Sequence, residues 1–296
     1  MDFYSPPNFG TSSQAALAQL TARGVGAGRP AGRRVRPPSP SDGGQAALAA
    51  PRSRLLFRCT WAQADVQQRR STGDDMLKLI IGNKAYSSWS LRGWLAVKQS
   101  GLAFEEITVP LFDEEWEKTR EGNEFAPSGG KVPVLWDDQA VIWDSLAIVE
   151  WLADRTDRDR YWPKDEVARG MARSMAAEMH SSYDNLRREC PMNLKKQFPP
   201  KEMSENVRAE VVRILELWAQ ARARHGGGGP YLFGTFGAVD IMFAPVVTRF
   251  VTYSIPVPRF AAAYMEVMLS HPWLREWVEA AQEEAWVIEK YETAAE

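Results

Sequence analysis

Three consecutive hydroxyl residues, Tyr86, Ser87 and Ser88, stand in NKAYSSWSLRGW (83–94), just after the apolar run LKLIIG (77–82). A strand passing into a helix needs one hydroxyl: a serine N-cap accepts a single backbone N–H. A run of three leaves room for a second task. A hydroxyl donor beside the positive end of a helix stabilises an anion, and a thiol held there would ionise below its ordinary pKa of about 8.5. Two other places carry a similar double reading. Pro133, between Val132 and Val134 at the mouth of a strand, has no N–H for a ladder. It is either an edge-strand proline or part of a cis peptide that turns the chain and frees the Val132 backbone groups. Asp144 and Ser145 open a helix, where Asp144 reads as an N-cap and Ser145 can present its hydroxyl and N–H to a carboxylate. Lys131, one residue before Val132, is either a solvated loop lysine or a second carboxylate contact.

The elements that must position these residues follow from periodicity. LKLIIG reads as a short buried strand and Ser88–Ser100 as a helix, with apolar Leu91, Trp94, Leu95 and Ala96 and the stop signal Gly101. AFEEITVPL (103–111) reads as a second strand, so strand, helix and strand make a parallel unit. VPVLW and AVIW, with Asp137 and Asp138 at the turn, form a hairpin, and a helix follows from Asp144 to about Ala153. DRTDRDRYWP (154–163) is charged and aperiodic and reads as a linker. Beyond Pro163 the pattern is helical. Val207, Val211, Leu215 and Trp218 share one face of a helix that Gly226–Gly229 stop. GAVDIMFAPVVTRFVTY (237–253) is apolar nearly all round, so it reads as a central buried helix that Pro245 kinks or that adjusts locally. Ser270 followed by HPWLREW reads as another helix start.

Composition narrows the function. The 296 residues carry a net charge of −2, divided unevenly: residues 1–75 hold ten Arg, five Asp and neither Lys nor Glu, giving +5, and the remainder is −7. An acidic body speaks against nucleic acid as a partner. No apolar stretch reaches the roughly 20 residues a bilayer span needs, so no membrane partner is expected. Cys59 and Cys190 make no disulfide framework or metal spacing, and His180, His225 and His271 are scattered, so no metal is expected and a reducing, cytoplasmic setting fits. Residues 1–75, rich in Gly, Ala, Pro, Ser and Arg, read as a disordered tail, a targeting segment, or an extension ahead of a start at Met76.

The three motifs YSSWSLR, GGKVPVLWDD…WDSLAIVEWL and LFGTFGAVDIMFAP, in this order and spacing, resemble the glutathione S-transferase superfamily over nearly all of 76–296. The resemblance implies a thioredoxin-like α/β domain over 76–155, with a mixed four-stranded sheet, followed by an all-α domain over 164–296. It implies glutathione as co-substrate: Val132, beside Pro133, pairs with the cysteinyl backbone, Ser145 of the Asp144-Ser145 pair takes the γ-glutamyl carboxylate, and Lys131 reaches the glycyl carboxylate. The hydroxyl run is similar to the Ser-Ser-Cys-Ser-Trp-Arg pattern of the zeta class, which includes maleylacetoacetate isomerase. That places the thiolate donor at Ser87, with Ser88 and then Tyr86 behind it. Trp89 stands where that pattern has Cys, which weakens the isomerase reading, and the absence of any Cys in 76–100 disfavours mixed-disulfide chemistry. The family's central helix opens with a Ser/Thr-x-x-Asp box; here Gly237 precedes Asp240, a change expected to cost about 1 kcal/mol or less relative to serine. Trp116, Met179, Tyr183 and Arg92 are expected around the second substrate, a small electrophile, and a homodimer is implied. Transferase, glutathione-dependent cis-trans isomerase and non-catalytic binding protein are the three functions that remain.

Overall fold

The computed structural model describes residues 76–292. The extension 1–75, and with it Cys59, lies outside the described residues. The chain begins β1 (Leu77–Gly82), α1 (Ser88–Ser100), β2 (Phe104–Val109), α2 (Glu114–Thr119), β3 (Val134–Asp137), β4 (Ala140–Trp143) and α3 (Ser145–Arg155). The sheet order is β2-β1-β3-β4. β1 and β2 run parallel, as the strand-helix-strand rhythm predicts, and the other two pairings are antiparallel. β1 is central, which is why LKLIIG is apolar on both faces instead of alternating. The hairpin turn is Asp138-Gln139: Asp137 stays in its strand opposite Ala140, and its carboxylate accepts from Trp151 Nε1 and Arg155 Nε, both at 3.1 Å.

The second half is helical: α4 (Arg158–Tyr161), α5 (Glu166–Ser181), α6 (Asp184–Glu189), α7 (Glu205–His225), α8 (Ala238–Thr252), α9 (Arg259–Ser270) and α10 (Pro272–Glu283). Every residue of α8 is buried, Arg249 included, and the helix runs through Pro245 without interruption. The face Val207, Val211, Leu215 and Trp218 of α7 is buried, and Trp218 meets Phe243 and Phe250 of α8 edge-on or tilted. α1 lies between the sheet and α8, so ten of its thirteen residues are buried, far more than one amphipathic stripe.

Three more sequence expectations change. The stretch 154–163, read as aperiodic, holds helical structure: α3 runs to Arg155, α4 follows, and Tyr161 and Trp162 are fully buried. Tyr161 donates its hydroxyl to Ala96 O at 2.7 Å and Arg160 Nη1 donates to Ser100 O at 2.8 Å, which docks the segment on α1. The charge-rich composition hides two aromatic anchors. Ser270 ends α9 instead of opening α10; the cap of α10 is His271, whose Nδ1 accepts from Trp273 N at 3.3 Å, with Pro272 at the first helical position. Gly237 also has a steric reason that spacing could not show. A Cβ there would stand 2.8 Å from Tyr161 O, so serine would be crowded out, and the reference that made glycine the weaker choice does not apply. Asp240 keeps its half of the box, accepting from Gly237 N at 3.0 Å.

Candidate functional site

The loop after β1 brings the hydroxyls to the N-terminus of α1. Asn83 Oδ1 accepts from Leu111 N at 2.8 Å, and the Asn83 carbonyl accepts from Tyr86 N and Ser87 N, which closes the turn. Ser87 is the N-cap, its Oγ accepting from Ser90 N at 3.3 Å. It also meets Ser90 Oγ at 2.8 Å, and Ser90 Oγ in turn accepts from Gly82 N at 2.9 Å. Ser90 was missed in the sequence, although its distance of three residues from Ser87 is the capping distance. Ser88 is held differently: Arg249 Nη2, from α8, donates to its Oγ at 3.2 Å. Tyr86 turns away, its hydroxyl donating to Glu292 Oε1 at 2.6 Å, and burial together with that carboxylate pushes its pKa up. The structure therefore brings Ser87 and Ser88 together at the helix mouth and assigns Tyr86 to the C-terminal segment.

The cis peptide is present at Val132-Pro133. Pro133 is buried against Gly93 of α1 so closely that a Cβ on Gly93 would lie 2.7 Å from Pro133 Cγ. Asp144 caps α3, Oδ1 accepting from Leu146 N at 2.8 Å, with a φ of 74°. Its Oδ2 lies 2.6 Å from His180 Nε2 of α5, a cross-element contact that the scattered histidines did not reveal. Ser145, the first residue of α3, is fully buried, and its Oγ has no hydrogen-bond partner among the described residues. Lys131 is exposed, its N–H donating to Ser128 Oγ at 3.0 Å. The cis loop thus packs on α1 at Gly93, and His180 links the two helix starts, meeting Asp144 before α3 and the Trp89 ring in the first turn of α1.

Behind the helix mouth is a group of arginines. Arg92 is fully buried; its Nε donates to Met242 O at 3.0 Å while Nη1 and Nη2 have no hydrogen-bond partner among the described residues. The Trp89 ring has the Arg92 guanidinium 4.8 Å from its centroid and that of Arg187 at 5.0 Å, with His180 edge-on at 5.3 Å. Burial, with Arg187 and Arg249 beside it, pulls the Arg92 pKa well down; Arg249 is lowered to about 10, chiefly by burial. Arg249 was missed in the sequence, because nothing local says what it reaches. Met179 is buried in the main core, and Tyr183 donates to Glu178 Oε1 at 2.7 Å, Glu178 itself being gripped by Arg213. Trp116 is not with them: it packs edge-on to Phe125 in a separate apolar cluster with Ile80 and Val134. Cys190 is buried, which pushes its thiol up to about 11 and leaves it unsuited to nucleophilic work. Among the described residues no group of three or more His, Cys, Asp or Glu is placed to hold a metal ion.

Comparison with known proteins bears on both halves of the chain. The family model described as "Glutathione S-transferase, N-terminal domain" matches residues 86–155, and the one described as "Glutathione S-transferase, C-terminal domain" matches 181–280. Escherichia coli strain K12 has a relative, glutathione S-transferase GstB, 25% identical over 171 residues, 54% of this chain and 80% of its own. A probable maleylacetoacetate isomerase of Caenorhabditis elegans is 36% identical over 100 residues, 33% of this chain and 44% of its own. In fold the chain is similar to a diazinon-metabolizing glutathione S-transferase of the silkworm, Bombyx mori, at TM-score 0.55 and 17% identity, covering 70% of this chain and 98% of that one. It is also similar to a glutathione transferase homolog from Burkholderia GL BGR1 with bound glutathione, at TM-score 0.52 and 22% identity, with the same coverages.

Proposed function

The chain belongs to the glutathione S-transferase superfamily, and we propose that it is a glutathione transferase that joins the glutathione thiolate to a small electrophile. One observation carries the reading. It is the buried, partnerless Ser145 hydroxyl at the start of α3, which supports a carboxylate ligand there; the cis Val132-Pro133 turn and the serine-capped start of α1 are the other two parts that a cysteine tripeptide would need. In this reading Val132 pairs with the cysteinyl backbone like an added strand. Ser145 and the positive end of α3 take the γ-glutamyl carboxylate, and exposed Lys131 the glycyl carboxylate. Asp144 shapes this end by capping α3.

The thiolate is held by Ser87. Its hydroxyl rotates from Ser90 towards the sulfur, and Ser90, fed by the Gly82 N–H, donates to Ser87 in turn. That chain of donors, with the dipole of α1, favours the ionised sulfur. The sulfur attacks the electrophilic carbon, the S–C bond forms, and the leaving group departs with its electron pair. Arg92, Met179 and Tyr183 border the side from which the electrophile arrives. As in the family, the protein acts as a cytoplasmic homodimer. Retention on a glutathione resin is the first test, and a chain that flows through unretained has no such function. The second is the bound thiol's pKa, read from thiolate ultraviolet absorbance: Ser87→Ala raises it by about one unit, near 1.4 kcal/mol. An unchanged value moves the donor role to Ser88.

A second reading, glutathione-dependent cis-trans isomerisation, has the zeta-like hydroxyl run and the partial match to the probable maleylacetoacetate isomerase in its favour. The same thiolate adds to a conjugated double bond and leaves again. Assays with a chloronitrobenzene and with maleylacetoacetate separate the two, and a chain that binds glutathione but turns over neither is a binding protein.

A further inference from the structure

A cleft of about 450 Å³ lies where the stretch 159–165 meets the opening of α8. Tyr161 and Arg160 of that stretch bond to Ala96 O and Ser100 O, towards the C-terminal end of α1, whereas Ser87 caps its first turn. A helix of thirteen residues is about 20 Å long, so the cleft stands at the far end of α1 from the serine mouth. Four rings line it, Tyr161, Trp162, Phe233 and Phe236, together with Gly237–Asp240 at the opening of α8. Phe233 stacks on His225, centroids 5.5 Å apart at 14°, and Phe236 on His271 at 4.2 Å and 24°, which fixes the planes of both phenyl rings. Trp162 is 1% exposed, and its Nε1 has no hydrogen-bond partner among the described residues. A buried N–H left without an acceptor costs about 1–3 kcal/mol. The cleft has room for far more than the single water, about 30 Å³, that would satisfy it. Its size is that of a small-molecule site, for which about 300–1,000 Å³ is usual.

We propose that this cleft is a second ligand site, for a neutral, flat, fused-ring molecule whose carbonyl accepts from the Trp162 indole. The proposal goes beyond the transferase reading and does not rest on it. Ring walls favour a flat aromatic body, which meets them in offset or edge-on contact. The charged groups at the rim are engaged by the protein. Lys164 is 3.7 Å from Asp159, Asp165 Oδ1 accepts from Ala168 N at 2.8 Å, and Arg160 Nη1 is held at Ser100 O. The ligand's charge is limited from both sides. The buried Asp240 carboxyl in the wall disfavours an anion. The positive end of α8, whose N-cap Gly237 brings no side chain to cover it, and the indole N–H both disfavour a cation. A neutral acceptor is the chemistry that remains. Its carbonyl takes the place of a water on the indole, and its rings displace the water that the aromatic walls bind poorly.

Fluorene and 9-fluorenone share the same flat rings and differ in a methylene or a carbonyl at one carbon; 9-fluorenone-2-carboxylate adds a negative charge. Equilibrium dialysis against the full chain measures each affinity. The expected result is saturable binding of 9-fluorenone, at least about fivefold tighter than the more apolar fluorene and about tenfold tighter than the carboxylate. Trp162→Phe, which keeps a ring and removes the N–H, weakens 9-fluorenone about tenfold and changes fluorene by less than about twofold. Phe233→Ala, at a half-buried wall position, weakens both. Saturating glutathione changes none of these affinities. The absence of saturable binding, tighter binding of fluorene in the parent, or 9-fluorenone binding untouched by Trp162→Phe overturns the proposal. Displacement by glutathione overturns it too, by placing the rings at the thiol mouth, and a carboxylate that binds as tightly as the ketone overturns the neutral class. If Trp162→Phe does not fold, Phe233→Ala decides, and undiminished binding of 9-fluorenone to that variant overturns the site.

Discussion

Ser145 and Ser90 have the same side chain and opposite situations. Ser90 Oγ accepts from Gly82 N and meets Ser87 Oγ, so it is part of the scaffold. Ser145 Oγ is buried with no protein partner. Removing an unpartnered buried hydroxyl relieves a desolvated group, whereas removing a ligand contact weakens binding. Ser145→Ala is therefore expected to leave the melting temperature unchanged or raised and to weaken glutathione binding by about 1–3 kcal/mol, read by calorimetric titration. An unaffected affinity would show that the hydroxyl does not meet the tripeptide. At this scale the sequence was legible where a motif is local. Pro133 and Asp144-Ser145 announce themselves within three residues. Arg249 and His180 do not, because their partners Ser88 and Asp144 come from other elements, and no pattern in one stretch encodes an approach from another.

Among elements, α1 meets the cis loop at Gly93, where a Cβ would sit 2.7 and 2.8 Å from the Pro133 ring. Gly93→Ala must push the loop away from the helix that holds the thiolate. The expected result is a loss of about 1–3 kcal/mol in denaturant unfolding, together with weaker glutathione retention. A second coupling ties the first domain to the end of the chain. Glu284, just past α10, accepts from Lys84 N and Ala85 N, and Glu292 accepts from Tyr86 and Asn193. Tyr86→Phe should loosen this strap, seen as faster hydrogen exchange over 284–292, with the pKa of the bound glutathione thiol unmoved; a raised thiol pKa would return Tyr86 to the thiolate. The periodicity of β1, α1, α7 and α8 was readable because each buries a continuous set of apolar side chains. α2, six residues opened by Asp113, and α4, four residues, are too short for a period to register, and their existence depends on caps and on Trp116 and Tyr161 finding the core.

Over the described residues, one apolar core runs from Leu79 and Leu91 through α8 to Trp277, so the two predicted domains share an interior. Asp240 lies within the helical part of that interior. It accepts from Gly237 N, Leu232 N at 3.2 Å and Tyr264 Oη at 3.1 Å, yet burial outweighs these donors and raises its pKa to about 7. In the unfolded chain an aspartate titrates near 3.9. Between these values the folded state binds the proton more tightly, so stability is greatest below pH 4 as far as this group is concerned and falls as pH rises towards 7, by at most about 1.4 kcal/mol per unit. Glu284, also raised by burial, acts in the same direction. Glu178 and Glu292 are lowered, Glu178 chiefly by Arg213, and act oppositely, losing their contribution as pH falls below the carboxylate range. The Asp240 share is isolated by difference. Asp240→Asn keeps an oxygen for two of the donors and sets an amide against the third, so it shifts stability at every pH but removes one titrating group. Chemical unfolding of both proteins between pH 4 and 8 should show the gap between them changing steadily up to about pH 7 and then holding constant. A gap independent of pH over that range would mean that the three donors keep Asp240 ionised throughout, and that the cap of the central helix is a carboxylate fully stabilised by its hydrogen bonds.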